Sequence, residues 1–341
     1  MPILDIEMAS IVKENSVQHH KRMDELKKRV NSNAERWQDY QEEVNKLTED
    51  IFKVCRKLES MELSREQLIY AKQLFIDEYR DFIRSGSINR LVMDKPFGYP
   101  GDFQIGEEIA KNQLATVGFE CCADAYFLNS PATVSTRQRH KCFVTYIKQF
   151  IFSSPKSELH IMDFACGPCR VLAHLAQYYS GSPDKTVYYH CTDMDQRALE
   201  YAKSKTLMDA YAKFSIQLIQ VHPIRFALNR NPHKFFKDKY DLIYSGGITN
   251  YLEDRVVIRF IANLKTLLKT DGRIMLSNYR KPSDNPSRLF MEWGVNWNMI
   301  YRSDEQYISL FEKAGFRTEA LENRMISDLG IMQYCVAKKS V

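Results

Sequence analysis

His160-Ile-Met-Asp-Phe-Ala-Cys-Gly-Pro-Cys-Arg170 reads as a strand, a tight turn and the start of a helix. Gly167 lets the backbone come close to a ligand, and Pro168 suits the first turn of a helix. In an open parallel sheet, ligands sit beyond the carboxyl ends of the strands near the switch point, and the first strand-to-helix turn is the usual place. A cofactor cradle is therefore expected over Asp163, Ala165, Cys166 and Gly167.

The next strand ends His190-Cys-Thr-Asp-Met-Asp195. It brings an acid beside the turn, where Asp193 can accept hydrogen bonds from both hydroxyls of a ribose, with Met194 adjacent. Asp195, two residues on, fits a helix N-cap. From Lys156 onward, short apolar runs alternate with amphipathic stretches, the pattern of parallel strands joined by crossover helices. Strands are expected at 159–164, 186–192, 215–221, 240–244, 272–277, 316–321 and 331–337. Helices fit at 169–179, 196–211, 254–268 and 303–314. Too few residues separate the last two strands for a helical crossover, so the last strand should run antiparallel.

Upstream the texture differs. From about Ile11 to Ile83 the chain is rich in Glu, Lys, Arg and Gln, lacks proline, and repeats apolar residues at helical spacing, as in Leu47, Ile51, Val54, Cys55 and Leu58. Two prolines and two glycines then interrupt it at Lys95-Pro-Phe-Gly-Tyr-Pro-Gly-Asp-Phe103, which demands an ordered loop. Helical patterning resumes over 107–119 and 136–152. The expected organisation is a helical extension and lid at 1–152 and an α/β core at 153–341.

With 48 basic and 43 acidic residues the net charge is only +5, a mixed surface that does not imply nucleic acid. No stretch approaches the roughly 20 apolar residues needed to span a bilayer. The opening Met1-Pro-Ile-Leu-Asp-Ile-Glu7 lacks a secretory n-region, so the eight cysteines read as thiols and the cytoplasm is the expected location.

These motifs, in order, resemble the class I methyltransferase family. Its first motif is similar to Asp163-Phe-Ala-Cys-Gly167, its ribose acid to Asp193 and its fourth-strand motif to Tyr240-Asp-Leu-Ile-Tyr-Ser-Gly-Gly247. Leu267-Leu-Lys-Thr-Asp-Gly-Arg-Ile-Met-Leu276 and Lys313-Ala-Gly-Phe316 extend the likeness. It implies a Rossmann-like seven-stranded sheet with S-adenosylmethionine as cofactor. Ser245 and Gly246 join the cofactor set, and Asp163 is expected near the cofactor's amino group in preference to a helix-capping role. One of Arg137 and Arg139, Arg139 being the choice, could pair with the cofactor's carboxylate, although solvated arginines are the commoner outcome. A narrower resemblance rests on Lys95-Pro-Phe-Gly-Tyr-Pro-Gly-Asp102, Ala165-Cys-Gly-Pro-Cys-Arg170, Tyr244-Ser-Gly-Gly-Ile-Thr-Asn-Tyr251 and Met291-Glu-Trp-Gly-Val-Asn-Trp-Asn-Met-Ile-Tyr-Arg302. It points to a bacterial subgroup named for synthesis of 3-hydroxypalmitic acid methyl ester, a quorum signal. Two features depart from the family pattern. Cys169 replaces the last glycine of the first motif, and the third strand runs out in Gln220-Val-His-Pro223 without the usual acid, leaving His222 as the adenine-edge candidate.

Cys166-Gly-Pro-Cys169 is also a thioredoxin-like redox sequence, but a dithiol catalyst has no use for Asp163 or Asp193. A zinc site from Cys166, Cys169, His190 and Cys191 lacks a second close-spaced ligand pair, and no metal is expected. Trp293, Trp297 and Tyr301 share helical spacing that suits a packed face or a substrate wall equally. Methyl transfer is an in-line displacement that mainly needs alignment. A carboxylate acceptor attacks without a base, whereas a hydroxyl or ammonium must first lose a proton. The expected acceptor is a small molecule with a group nucleophilic near neutrality, a carboxylate such as a hydroxy fatty acid, held by Tyr99, Asp102, Tyr251, Asn278, Trp293 and Trp297. A small-molecule amine or hydroxyl, or a cofactor-binding scaffold without turnover, are the alternatives. The N-terminal helices could also pair two copies of the chain.

Overall fold

The computed structural model describes residues 3–179, 185–237, 239–281 and 285–340. The chain divides into two compact units, Met1–Val134 with Pro286–Asn298, and Ser135–Asn285 with Met299–Val341. The border expected at 152/153 therefore lies earlier, and a short segment of the expected core belongs to the helical unit.

In the helical unit, α1 (Ile3–Ser32), α2 (Gln41–Glu59) and α3 (Arg65–Ile83) account for the amphipathic stretch. The spacing of α2 puts Val44, Leu47, Ile51, Val54, Cys55 and Leu58 on its buried face, and Ser64 with Gln67 forms a capping box at the start of α3. Next come α4 (Ser87–Asp94), α5 (Phe103–Lys111) and α6 (Gly118–Leu128). The helix expected over 107–119 is thus two helices, because Asn112 takes a left-handed conformation that ends α5. The buried carboxylate of Asp124 fastens α6 to the start of α4, accepting from the backbone N–H groups of Ser87, Ile88 and Asn89 at 2.9–3.1 Å.

Segment 286–298 is built into this unit. Glu59 accepts from Arg288 and from Trp293 Nε1, both at 2.8 Å, and the Trp293 ring meets Phe75 edge-on at 5.9 Å. The Lys95 ammonium donates to the Val295 carbonyl at 2.7 Å, so the Pro-Gly loop and this segment meet.

The second unit opens in α7 (Pro131–Ser153), within which the border falls, and continues with β1 (Glu158–Phe164), α8 (Arg170–Tyr178), β2 (Thr186–Asp193), α9 (Gln196–Tyr201), β3 (Ser215–Gln220) and α10 (Pro223–Leu228). It ends in β4 (Tyr240–Ser245), α11 (Asp254–Leu267), β5 (Leu268–Tyr279), α12 (Asp304–Lys313), β6 (Leu321–Ile326) and β7 (Met332–Lys338). The seven-stranded sheet has the order β3-β2-β1-β4-β5-β7-β6. β7 runs antiparallel to both neighbours, as expected. β5 runs longer than expected at both ends, over Leu268–Tyr279, and two elements differ more. The helix expected to reach 211 stops at Tyr201 and passes into a π-turn over Ala202–Thr206. β6 begins five residues late, because the buried Phe316 and Ala320, which mimic a strand in sequence, fill the core from a turn.

Strand order reverses between β1 and β4, which makes their carboxyl ends the ligand-binding edge. One sheet face packs on α10, α11 and α12 through Met162, Phe164, Ile243, Ile274 and Leu276. On the other face, register aligns Cys191, Asp163, Tyr244 and Met275 in one row. Phe143 of α7 covers it, its ring 5.2 Å from that of Tyr244 and 6.1 Å from that of Tyr334.

Candidate cofactor and substrate site

The turn after β1 places three residues at positive φ, Ala165 (+58°), Gly167 (+54°) and Cys169 (+55°). The Cys166 N–H donates to the Thr192 carbonyl at 2.9 Å, tying the turn to the end of β2. A Cβ on Gly167 would meet nothing within 4 Å, so the turn faces open space. Cys169 is the N-cap of α8, and the helix begins later than Pro168 suggested.

Asp193 braces this turn. Its Oδ2 accepts from the Gly167 N–H at 2.8 Å and its Oδ1 from the Asp195 N–H at 2.9 Å. Each oxygen keeps a second lone pair, so bracing and ribose binding are compatible. Burial pushes its carboxyl up, while these backbone donors pull it down. Beside it Met194 is 36% exposed. Asp195 caps α9 by accepting from the Arg197 N–H at 3.0 Å, as expected. His222 is exposed and its Nδ1 accepts from the Ile224 N–H at 3.2 Å, making it the N-cap of α10.

Asp163 is buried at the end of β1, its Oδ2 accepting from the Tyr244 hydroxyl at 2.8 Å. Burial pushes its carboxyl up to about 7; Tyr244 and Arg139 pull down, and Asp193 pushes up. Arg139 reaches the same edge from α7. A Cβ on Gly246 would lie 3.3 Å from its Nε, and one on Gly247 (φ +126°) 2.8 Å from its Nη1. The two glycines after Ser245 therefore leave room for a guanidinium. Its Nε is buried without a hydrogen-bond partner, a donor that calls for an acceptor.

The substrate set divides. Tyr251 ends a short turn after Gly247 and is 41% exposed. Asn278 is fully buried, its Oδ1 accepting from Thr249 Oγ1 and Arg302 Nη1, each at 3.0 Å. It holds the turn rather than meeting a substrate. In the helical unit, Trp293 is fully buried and bound to Glu59, which makes it a core residue. Trp297 is 8% exposed. Asp102 caps α5 through the Gln104 and Ile105 N–H groups at 3.0 and 3.1 Å, whereas Tyr99 is half-buried. Asp241 lies at the opposite end of β4 from Gly246 and Gly247. There it pairs with Lys156 and Lys269 at 2.6 and 2.7 Å.

Sequence reasoning missed Arg302, a 2% exposed arginine. It donates to the carbonyls of Thr249 and Leu252 at 2.8 and 2.7 Å and pairs with Asp254, which fixes the Tyr251 turn. Its signal was its place at the end of the Met291–Arg302 motif.

Cys166, Cys169 and Cys191 cluster, each thiol acting on the titration of the other two. Burial holds the Cys166 thiol far above its ordinary range, the reverse of what a redox dithiol needs. His190 and Cys191 are consecutive in β2 and point to opposite faces, and His190 Nδ1 bonds the Tyr240 hydroxyl at 2.6 Å. Among the described residues no cluster of His, Cys, Asp or Glu is placed to hold a metal ion.

Residues 162–274 match a family model described as a methyltransferase domain, and residues 5–93, across α1 to α4, match one described as the N-terminal part of exocyst complex component Sec10. No curated protein matches the chain. Among solved structures, the chain is similar to a Bordetella parapertussis protein described as a possible exported protein, at 18% identity and TM-score 0.59, over 77% of this chain and 87% of that one. Magnesium protoporphyrin IX methyltransferase from Synechocystis PCC 6803, with bound SAH, aligns at 14% identity and TM-score 0.45 over 62% of this chain and 88% of that one. An N-methyltransferase from Bradyrhizobium japonicum WM9 aligns at 15% and 0.38 over 60% and 96%. Residues 162–274 thus carry a methyltransferase domain, set in a Rossmann-like seven-stranded, mostly parallel sheet. No helix among the described residues is long and apolar enough to cross a membrane.

Proposed function

We propose that this S-adenosylmethionine-dependent small-molecule methyltransferase esterifies a carboxylate, such as that of a hydroxy fatty acid, as the narrower sequence resemblance suggests. The observation that supports the cofactor site is that a buried carboxyl, Asp163, and a guanidinium with an unpartnered Nε, Arg139, come to the same sheet edge. The amino-acid end of the cofactor needs an anion for its ammonium and a cation for its carboxylate, and this donor set fits it. Asp163 would hold the ammonium, Arg139 the carboxylate and Asp193 the ribose diol. Ala165, Cys166, Gly167, Met194, Ser245 and Gly246 would line the cradle, with His222 toward the adenine. Bound there, the cofactor supplies an electrophilic methyl group on a sulfonium.

The protein's remaining task is alignment. A carboxylate acceptor needs no proton removed, so Tyr251 has only to orient it with a donated hydrogen bond on a turn that Arg302 and Asn278 keep rigid. Calorimetric titration with S-adenosylmethionine, beside Asp193→Ala, tests the cofactor site; loss of binding in the variant supports it, and no binding by the parent refutes it. Labelled methyl transfer to carboxylate, amine and hydroxyl acceptors tests the substrate class. Label released as methanol by alkali identifies an ester, and alkali-stable label assigns an amine or ether product instead.

Cys166, Cys169 and Cys191 stand as thiols, which supports a cytoplasmic, reducing location. Val17 of α1 and Ile69 of α3, 68% and 61% exposed, support pairing of two copies through the N-terminal helices. A monomer by light scattering at micromolar concentration would rule that out.

A further inference from the structure

A chain of hydroxyls runs behind the cofactor cradle. The Tyr189 hydroxyl donates to that of Tyr244 at 3.0 Å, and the Tyr244 hydroxyl donates to Asp163 Oδ2 at 2.8 Å. Tyr189, Tyr244 and Asp163 are 0%, 1% and 3% exposed, so this geometry is fixed by packing and not by solvent. The order of donation is set by chemistry, since an ionised carboxylate can only accept. When Asp163 is ionised, Tyr244 therefore donates its O–H hydrogen bond to the carboxylate and accepts from Tyr189.

Several charged or titratable groups surround Asp163. Arg139 approaches from α7, Tyr244 from β4, Tyr189, Cys191 and Asp193 from β2, and Cys166 and Cys169 from the turn. Arg139 and the Tyr244 hydrogen bond favour the ionised carboxylate, whereas burial and Asp193 oppose it.

We propose that Tyr244, polarised by Tyr189, is a positioning residue that engages one carboxylate oxygen of Asp163, leaves the other for the cofactor's ammonium, and thereby couples cofactor binding to proton release. This rests on the reading that Asp163 takes that ammonium. The step balances: the neutral carboxyl of the ligand-free protein gives its proton to solvent, and the carboxylate left behind pairs with the incoming ammonium. Tyr244 lowers the cost of that ionisation, so its removal moves the transition to higher pH and leaves affinity intact once Asp163 is ionised.

Calorimetric titration of the full chain with S-adenosylhomocysteine, from pH 5.5 to 8 in buffers of different ionisation enthalpy, reads affinity and protons released together. The parent should tighten about tenfold per pH unit below a midpoint near 7, releasing close to one proton at pH 6. Tyr244→Phe should shift the midpoint upward by about one pH unit, losing roughly tenfold in affinity at pH 6 and little at pH 8. Tyr189→Phe should shift it the same way by less, and Asp163→Asn should bind weakly without proton release. A parent that binds with no proton uptake or release, or a Tyr244→Phe midpoint equal to the parent's, overturns the coupling while leaving the cofactor site standing. Failure of the parent to bind at any pH overturns the cofactor reading itself. Should Tyr244→Phe fail to fold, carbon-13 titration of the Asp163 carboxyl in the parent and in Tyr189→Phe decides, and equal midpoints there refute the proposal.

Discussion

Arg139 occupies the space where a side chain on Gly247 would begin: a Cβ there would stand 2.8 Å from its Nη1. Gly247 also holds φ at +126°, a conformation other residues rarely adopt. Gly247→Ala should therefore strain the turn and displace the guanidinium, weakening cofactor binding at least tenfold by calorimetry. Gly167→Ala is the comparison. Nothing protein-borne stands within 4 Å of its Cβ, so its cost to folding should stay near the 1–2 kcal/mol of a left-handed residue, measured by denaturant unfolding.

Burial lifts the Asp163 carboxyl to about 7, so between its unfolded value near 4 and 7 the native state binds a proton that the unfolded state does not. Stability of the ligand-free protein from this group is greatest below that window and falls as pH rises through it. Asp163→Asn removes the charge while an amide oxygen still accepts from Tyr244. The variant should match the parent near pH 4 and exceed it by about 2–4 kcal/mol at pH 8. Urea unfolding at both values checks this; a parent more stable than the variant at pH 8 would refute the burial argument.

The turn after β1 and the acid beside it were legible because local signals encode them. A strand ending in Asp163, a turn at Gly167 and an acid at the end of the next strand are local signals, and register then places them together. The roles of Trp293 and Asn278 were not legible, because helical spacing of aromatics is the same for a core face and a pocket wall. Only the partners of these residues decide, Glu59 for one and Arg302 with Thr249 for the other. Likewise, nothing local says that residues 286–298 pack with the helices of the N-terminal unit. The Glu59–Arg288 pair, 229 residues apart in sequence, does.

In the helical unit, Asp124 accepts three backbone N–H groups of α4 and the hydroxyls of Ser87 and Thr116. Removing it leaves buried donors without acceptors, each worth about 1–3 kcal/mol. Asp124→Ala should cost about 3 kcal/mol or more in thermal or denaturant unfolding. The exposed pair of Arg90 and Glu120 offers a contrast, and Arg90→Ala should change stability by under about 1 kcal/mol.

Arg302 holds the turn that carries Tyr251, and its energetic weight lies in the backbone carbonyls it satisfies. Asp254, its ion-pair partner, is 64% exposed at the side chain, so that pair is screened and worth under about 1 kcal/mol. The carbonyls of Thr249 and Leu252 are instead tied to a guanidinium that is itself 2% exposed. Arg302→Leu keeps the apolar volume but orphans the Leu252 carbonyl and takes one of two donors from the Thr249 carbonyl and from Asn278 Oδ1, a loss of about 1–3 kcal/mol. Asp254→Asn should cost far less in the same unfolding assay. The two variants should also part in function. With the turn loosened, Arg302→Leu should raise the acceptor KM several-fold and leave the Kd for S-adenosylhomocysteine within about twofold, because Asp163, Asp193 and Arg139 are untouched. A matched loss of cofactor affinity would instead show that the turn supports the cradle as well as the acceptor.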